Sequence, residues 1–150
     1  MQEKLGTKDR GFNIDPSSIC TLCSLQEEDH THLFFRCNVS AQIWSTLLNK
    51  CKFQVPSLDW NALVDWLSQE WKGRTLEMDI RKLCLAGTVY HIWQERNSRL
   101  HNNRAKSVPQ ICNTILRSIR FKLSSLKGIP ETAANRSSQV YWNLPLTIFN

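Results

Sequence analysis

Apolar residues recur at intervals of three and four over most of the chain, and four separate stretches carry the stripe of an amphipathic helix. The first covers residues 40–51, where Ile43, Trp44, Leu47, Leu48 and Cys51 share one face and Ser40 stands in position to cap it. Beyond a loop ending at Pro56 comes a second helix, capped by Asp59 or Ser57. In it Trp60, Leu63, Val64, Leu67 and Trp71 give the cleanest periodicity in the chain, with Gly73 as its stop. A long third helix is predicted over residues 75–102. Its middle, 83–93, is apolar on most sides and needs other helices around it, while its end turns polar and basic. The fourth starts near Ser107, tolerates Pro109 in its first turn and sets Ile111, Ile115, Ile119 and Leu123 four apart on one face. Gly128 and Pro130 are its expected end.

Two regions lack the stripe. Residues 1–14 are polar and weakly patterned, and residues 15–18 (Asp-Pro-Ser-Ser) read as a turn leading into a Cys/His-rich stretch. Residues 128–150 hold turn formers and then an apolar strip, 144–149, expected to dock as an extended segment. No internal repeat or low-complexity tract interrupts the chain. At 150 residues, 41% hydrophobic and with six Trp, it can bury a core that metal alone need not hold together.

Charge changes the picture. Residues 1–80 carry eight Lys/Arg against eleven Asp/Glu, whereas residues 81–127 carry ten Lys/Arg against one acid, Glu95, a net of +9. Such a concentration points to a polyanionic partner, most often nucleic acid, the rival being a solvated basic face without one. Arg96, Arg99, Arg104, Lys106, Arg117, Arg120, Lys122 and Lys127 are the candidate phosphate contacts. No secretory signal or membrane-length apolar run is visible, so the expected setting is intracellular, nucleus or cytoplasm, with reduced thiols.

Three of the six Cys and two of the four His lie within residues 20–37. Cys20 and Cys23 are separated by two residues, a tight turn that aims two sulfurs at one point, and a His and Cys37 follow. Three thiolates and one imidazole make a tetrahedral set suited to Zn²⁺. The spacing favours His32 over His30, because a compact last turn leaves Leu33, Phe34 and Phe35 to pack beneath the ion. Four good ligands leave no open position for water, and three thiolates make a poor Lewis acid, so the zinc is expected to be structural and the chain not an enzyme. Cys51, Cys84 and Cys112, isolated within helical patterns, read as small buried hydrophobes, and His91 as a core or interface residue. Residues 27–29 (Glu-Glu-Asp) read as a solvated acidic loop.

These readings combine into a mainly α fold: a small irregular zinc knuckle followed by about four helices. The segments are 1–56 (knuckle and first helix), 57–127 (helical, basic in its second half) and 128–150 (extended tail).

Residues 5–10 (Leu-Gly-Thr-Lys-Asp-Arg), the Cys20/Cys23 pair, and His32-Leu33-Phe34-Phe35-Arg36-Cys37 followed by Ile43-Trp44 together resemble the reverse transcriptase zinc-binding domain of plant LINE-type (non-LTR) retrotransposons. Ile92-Trp93-Gln94-Glu95-Arg96-Asn97 and Trp142-Asn143-Leu144-Pro145-Leu146 also look like that C-terminal region, so the likeness extends over nearly the whole chain, the knuckle being its specific part. One departure is that Gly11-Phe12 follows Arg10 at once, where the family has further residues. The resemblance implies Cys20, Cys23, His32 and Cys37 as ligands. It also implies contact with RNA or DNA, largely independent of sequence, and a position beside a reverse transcriptase domain absent from this chain. A polymerase metal motif is missing, so no polymerase activity is implied. The rival class is a protein-interaction or structural module using Trp66 and the 142–149 strip.

Overall fold

All four stripes are helices in the computed structural model, which describes residues 18–55, 58–70 and 75–150 apart from the side chains of 67, 69 and 70. The expected features at residues 5–10 and 15–17, at Pro56, Ser57, Trp71 and Gly73, and at the side chain of Leu67 lie outside these residues. The helices are α1 (Asn38–Cys51), α2 (Trp60–Glu70), α3 (Leu76–Asn102), α4 (Val108–Ser124) and α5 (Ala133–Trp142). A π-helical turn, His32–Arg36, precedes α1, and a 3₁₀ turn, Leu146–Phe149, closes the chain. The fold is mainly helical, and among the described residues the sole β pairing is an isolated antiparallel bridge between Ile19 and Glu27.

Helix ends follow local chemistry. The Thr75 hydroxyl accepts from the Met78 amide at 3.2 Å, with Glu77 and Asp79 complementing the positive end of α3. Ser107 and Gln110 form a reciprocal capping box at the start of α4. Asp59 caps α2 through the Ala62 amide at 2.9 Å. Ser40 does not cap α1. It lies inside the helix, where its buried hydroxyl donates to the Leu33 carbonyl, and Cys37 takes the N-cap position instead.

The core forms where α1, α3 and α4 pack on one another. Ile43, Trp44 and Leu47 from α1, Cys84 and Ile92 from α3, and Ile115, Ile119 and Leu123 from α4 are all essentially inaccessible. Each such aliphatic side chain contributes about 1.5–3 kcal/mol through burial. Trp44 also donates its indole N–H to the Phe34 carbonyl at 2.7 Å, fixing α1 to the π turn.

The tail is not extended. Thr132 caps α5 by accepting from the Asn135 amide at 3.2 Å, and two alanines start the helix well. Asn135 is buried, accepts from the Leu76 amide at 3.1 Å and donates to the Pro130 carbonyl at 2.8 Å, joining α5 to the start of α3. Helix α4 stops at Ser124, short of Gly128. Gly128 instead takes φ 66°, turning the chain so that the amides of Gly128 and Ile129 reach the Asn150 and Ile148 carbonyls. The apolar strip does dock, with Leu144 and Ile148 buried.

Candidate metal centre

The turn after Cys20 closes through the Ser24 amide on the Cys20 carbonyl at 2.8 Å, with Ser24 in the left-handed region at φ 57°. Cross-links from Cys20 N to Gln26 O at 2.7 Å and from Glu28 N to Ser18 O at 2.9 Å fold residues 18–28 back on themselves. On the other side, the Cys37 amide bonds the His32 carbonyl at 2.7 Å, an i to i+5 link. In an α-helix, residues five apart would point about 140° away from each other. The wider π winding brings His32 and Cys37 toward one side, which ordinary α-helical winding would not do.

The side-chain donor atoms of Cys20, Cys23, His32 and Cys37 all lie within 4.8 Å of one another. Cys20 Sγ and Cys37 Sγ are 3.9 Å apart, and Cys23 Sγ is 3.4 Å from His32 Nε2. A tetrahedral zinc with Zn–S of about 2.3 Å and Zn–N of about 2.0 Å requires edges of about 3.8 Å and about 3.5 Å. Both of these edges fit Zn²⁺, and all four donors lie close enough to close around one ion. His30 stands outside this cluster, as the spacing favoured. Cys20 and Cys37 are fully buried, His32 nearly so, and Leu33, Phe34 and Phe35 lie buried beneath them. Trp60 meets Phe34 and Phe35 edge-on at 5.4 and 4.9 Å, so the start of α2 closes over the π turn.

The two buried sulfurs, Cys20 and Cys37, are linked electrostatically. The hydrogen bond from Cys20 pushes Cys37 down to about 5, in spite of burial, and the amides of Ser40 and Val39 at the start of α1 favour its thiolate further. The same contact, followed by burial, holds Cys20 far above the usual thiol range. A dication bound here would displace the proton these sulfurs share.

A second layer ties the loop to α3. Glu28, expected in a solvated acidic loop, is 0% exposed. Its Oε2 accepts from the Thr21 amide at 3.1 Å, and its Oε1 accepts from Arg96 Nε at 2.9 Å. Arg99 donates to the Leu22 carbonyl at 2.9 Å and to Glu95 at 2.8 Å. Thr21 and Leu22 are the two residues between the first pair of sulfurs, so both arginines brace the metal turn. Asp29 of the same acidic run accepts from the His32 amide at 2.6 Å.

The proposed phosphate contacts consequently divide. Arg96 is 6% exposed and Arg99 is turned inward, so both hold the knuckle rather than line a cationic surface. Arg104, Lys106, Arg117, Arg120, Lys122 and Lys127 are exposed. Lys106 and Lys122 both act on His91, whereas Arg117 and Arg120 border a groove toward α1 and α5. Cys51, Cys84 and Cys112 are buried free thiols, and Cys84 is held far above the usual range by its contact with Cys51 and by burial.

A Cys₃His centre on a helical body defines a zinc-binding module. Residues 1–44, which include all four ligands, match the family described as zinc-binding in reverse transcriptase. The cofactor of this site is accordingly Zn²⁺. No match to the chain was found among curated proteins or among solved structures. No described helix is long and apolar enough to cross a membrane.

Proposed function

We propose that the chain is a non-catalytic, zinc-stabilised nucleic-acid-binding accessory domain derived from a retrotransposon reverse transcriptase polyprotein of the plant LINE type. The observation that carries this reading is the fate of charge in residues 81–127. Their single acid, Glu95, is 4% exposed and engaged by Arg99, while six cations on the α3–α4 turn, on α4 and just beyond it remain at the surface. The zinc has its four protein ligands and serves shape, holding α1 and α2 around the π turn. In this reading the chain works in the nucleus or cytoplasm, where thiols stay reduced, and sits against a polymerase domain that it does not itself contain.

The test is a salt titration of binding to RNA and to DNA. With about six phosphates neutralised, log K should fall against log salt with a slope near −4 for single strands and near −5 for duplex. A flat response removes the reading. The rival interaction module would appear as a salt-insensitive oligomer. The surface suggested for it is partly occupied, since Trp66 stacks on Phe53 at 6.0 Å and Leu144 and Ile148 are buried, while Leu146 stays exposed.

A further inference from the structure

The cations of α4 do not stand on a uniform surface. Arg117 and Arg120 border a groove of about 470 Å³, together with Lys50 from the end of α1, Asn113, and the aromatic pair Tyr141 and Trp142 from the end of α5. No carboxylate lines it. Tyr141 is fixed by its hydroxyl, which donates to the Lys50 carbonyl at 2.9 Å, and by Trp142, which meets it edge-on at 6.1 Å. Lys52 sits over its ring at 3.8 Å, yet the residue is 48% exposed, which leaves ring surface open. Arg120 donates to the Asn143 carbonyl at 3.3 Å and so holds the wall of the groove in place.

The geometry points to this groove as a binding site for single-stranded nucleic acid, a refinement that rests on the nucleic-acid reading above. Duplex DNA or RNA offers phosphates but keeps its base faces stacked inside the helix. An unpaired strand offers both phosphates and base faces, and a groove combining cations with a rigid, half-open aromatic ring matches that pair. Its volume suits one or two nucleotides rather than a helix. Another groove of similar size, beside His91, His101 and Lys106, includes the Glu95 carboxylate and offers imidazoles but no Tyr or Trp, so it combines fewer cations with a smaller stacking surface.

The test uses the zinc-loaded full chain, labelled single-stranded 12-mers of RNA and DNA, and duplexes of equal length, followed by fluorescence polarisation over a salt series. Single strands should bind about tenfold more tightly than duplex at the same salt. Tyr141→Leu should weaken single-strand binding about tenfold with little change of salt slope, and Tyr141→Phe, which keeps the ring but loses the hydroxyl, should restore it. Lys50→Gln with Arg117→Gln should reduce the single-strand slope by about 1.4. Thermal melting and zinc content establish that each variant is folded. Binding of both forms that ignores the Tyr141 and Lys50/Arg117 changes would overturn the groove and leave the broader reading standing. Equal affinity for duplex would overturn the single-strand preference. No binding of any form at low salt would remove the nucleic-acid reading itself.

Discussion

Arg96 and Glu28, 68 residues apart in sequence, form an ion pair in which the arginine side chain is 7% exposed and the carboxylate 0%. Nη2 stands 2.8 Å from the same oxygen that accepts from Nε, while the second carboxylate oxygen holds the loop between Cys20 and Cys23. The metal turn is thereby anchored to the longest helix through one carboxylate.

Removing one partner should strand the other as a buried charge. Glu28→Ala and Arg96→Ala should each cost about 3–5 kcal/mol in urea unfolding with zinc present. The double substitution Glu28→Gln with Arg96→Met should cost less than the two single changes combined. Single variants with unaltered stability would show that the pair is not formed.

Trp44 should matter through both volume and its N–H. Trp44→Ala should destabilise the fold by about 3–5 kcal/mol. Trp44→Phe keeps an aromatic ring, loses part of the indole volume and leaves the buried Phe34 carbonyl without its donor, for a loss of at least about 1–3 kcal/mol. Denaturation midpoints measure both.

Much of the body was legible because helical periodicity is local. The stripes of α1, α3 and α4, the Asp59 cap, the starts of α3 and α4 near residues 75 and 107 and the ligand spacing all lie within short windows. What could not be read depends on distant partners. Three acids in a row look solvated until Arg96 arrives from α3 to neutralise Glu28. For the same reason, counting charges placed Arg96 and Arg99 on a basic surface, although both point into the metal turn. The π winding leaves no mark in the His-x₄-Cys spacing, because a five-residue interval does not by itself distinguish π from α hydrogen bonding. Helix α5 was hidden by the turn formers on either side, and its anchoring residue, Asn135, is polar yet buried because its partners come from Leu76 and Pro130.

Acid should weaken the fold partly through His91. Burial, then Lys106 and Lys122, lower its pKa below the ordinary 6.5, and the Ser118 hydroxyl lies 3.4 Å from Nε2. The folded state favours the neutral ring, so the unfolded chain binds more protons in the window between the lowered value and 6.5. Stability from this group is present above pH 6.5 and is lost as pH falls through the folded value. His91→Gln should make the decline in urea midpoint between pH 7.5 and 5.5 shallower than in the parent chain, with excess zinc in both. Identical slopes would mean that His91 is not held neutral.

The ligand set separates cleanly from the other thiols and from the neighbouring histidine. His32→Ala should lower zinc affinity by at least a hundredfold, whereas His30→Ala and the triple change of Cys51, Cys84 and Cys112 to Ala should keep one zinc per chain. Equal losses from the two histidine variants would contradict the assignment.

The most direct measurement is metal content paired with limited proteolysis of the purified chain and of Cys23→Ser. The expected result is one zinc per chain, absent from the variant, with rapid cleavage opening across residues 20–51 while α3 and α4 stay comparatively resistant. A zinc-free chain, or a variant protected in that region as well as the parent, would contradict the claim that the ion holds the loop in shape.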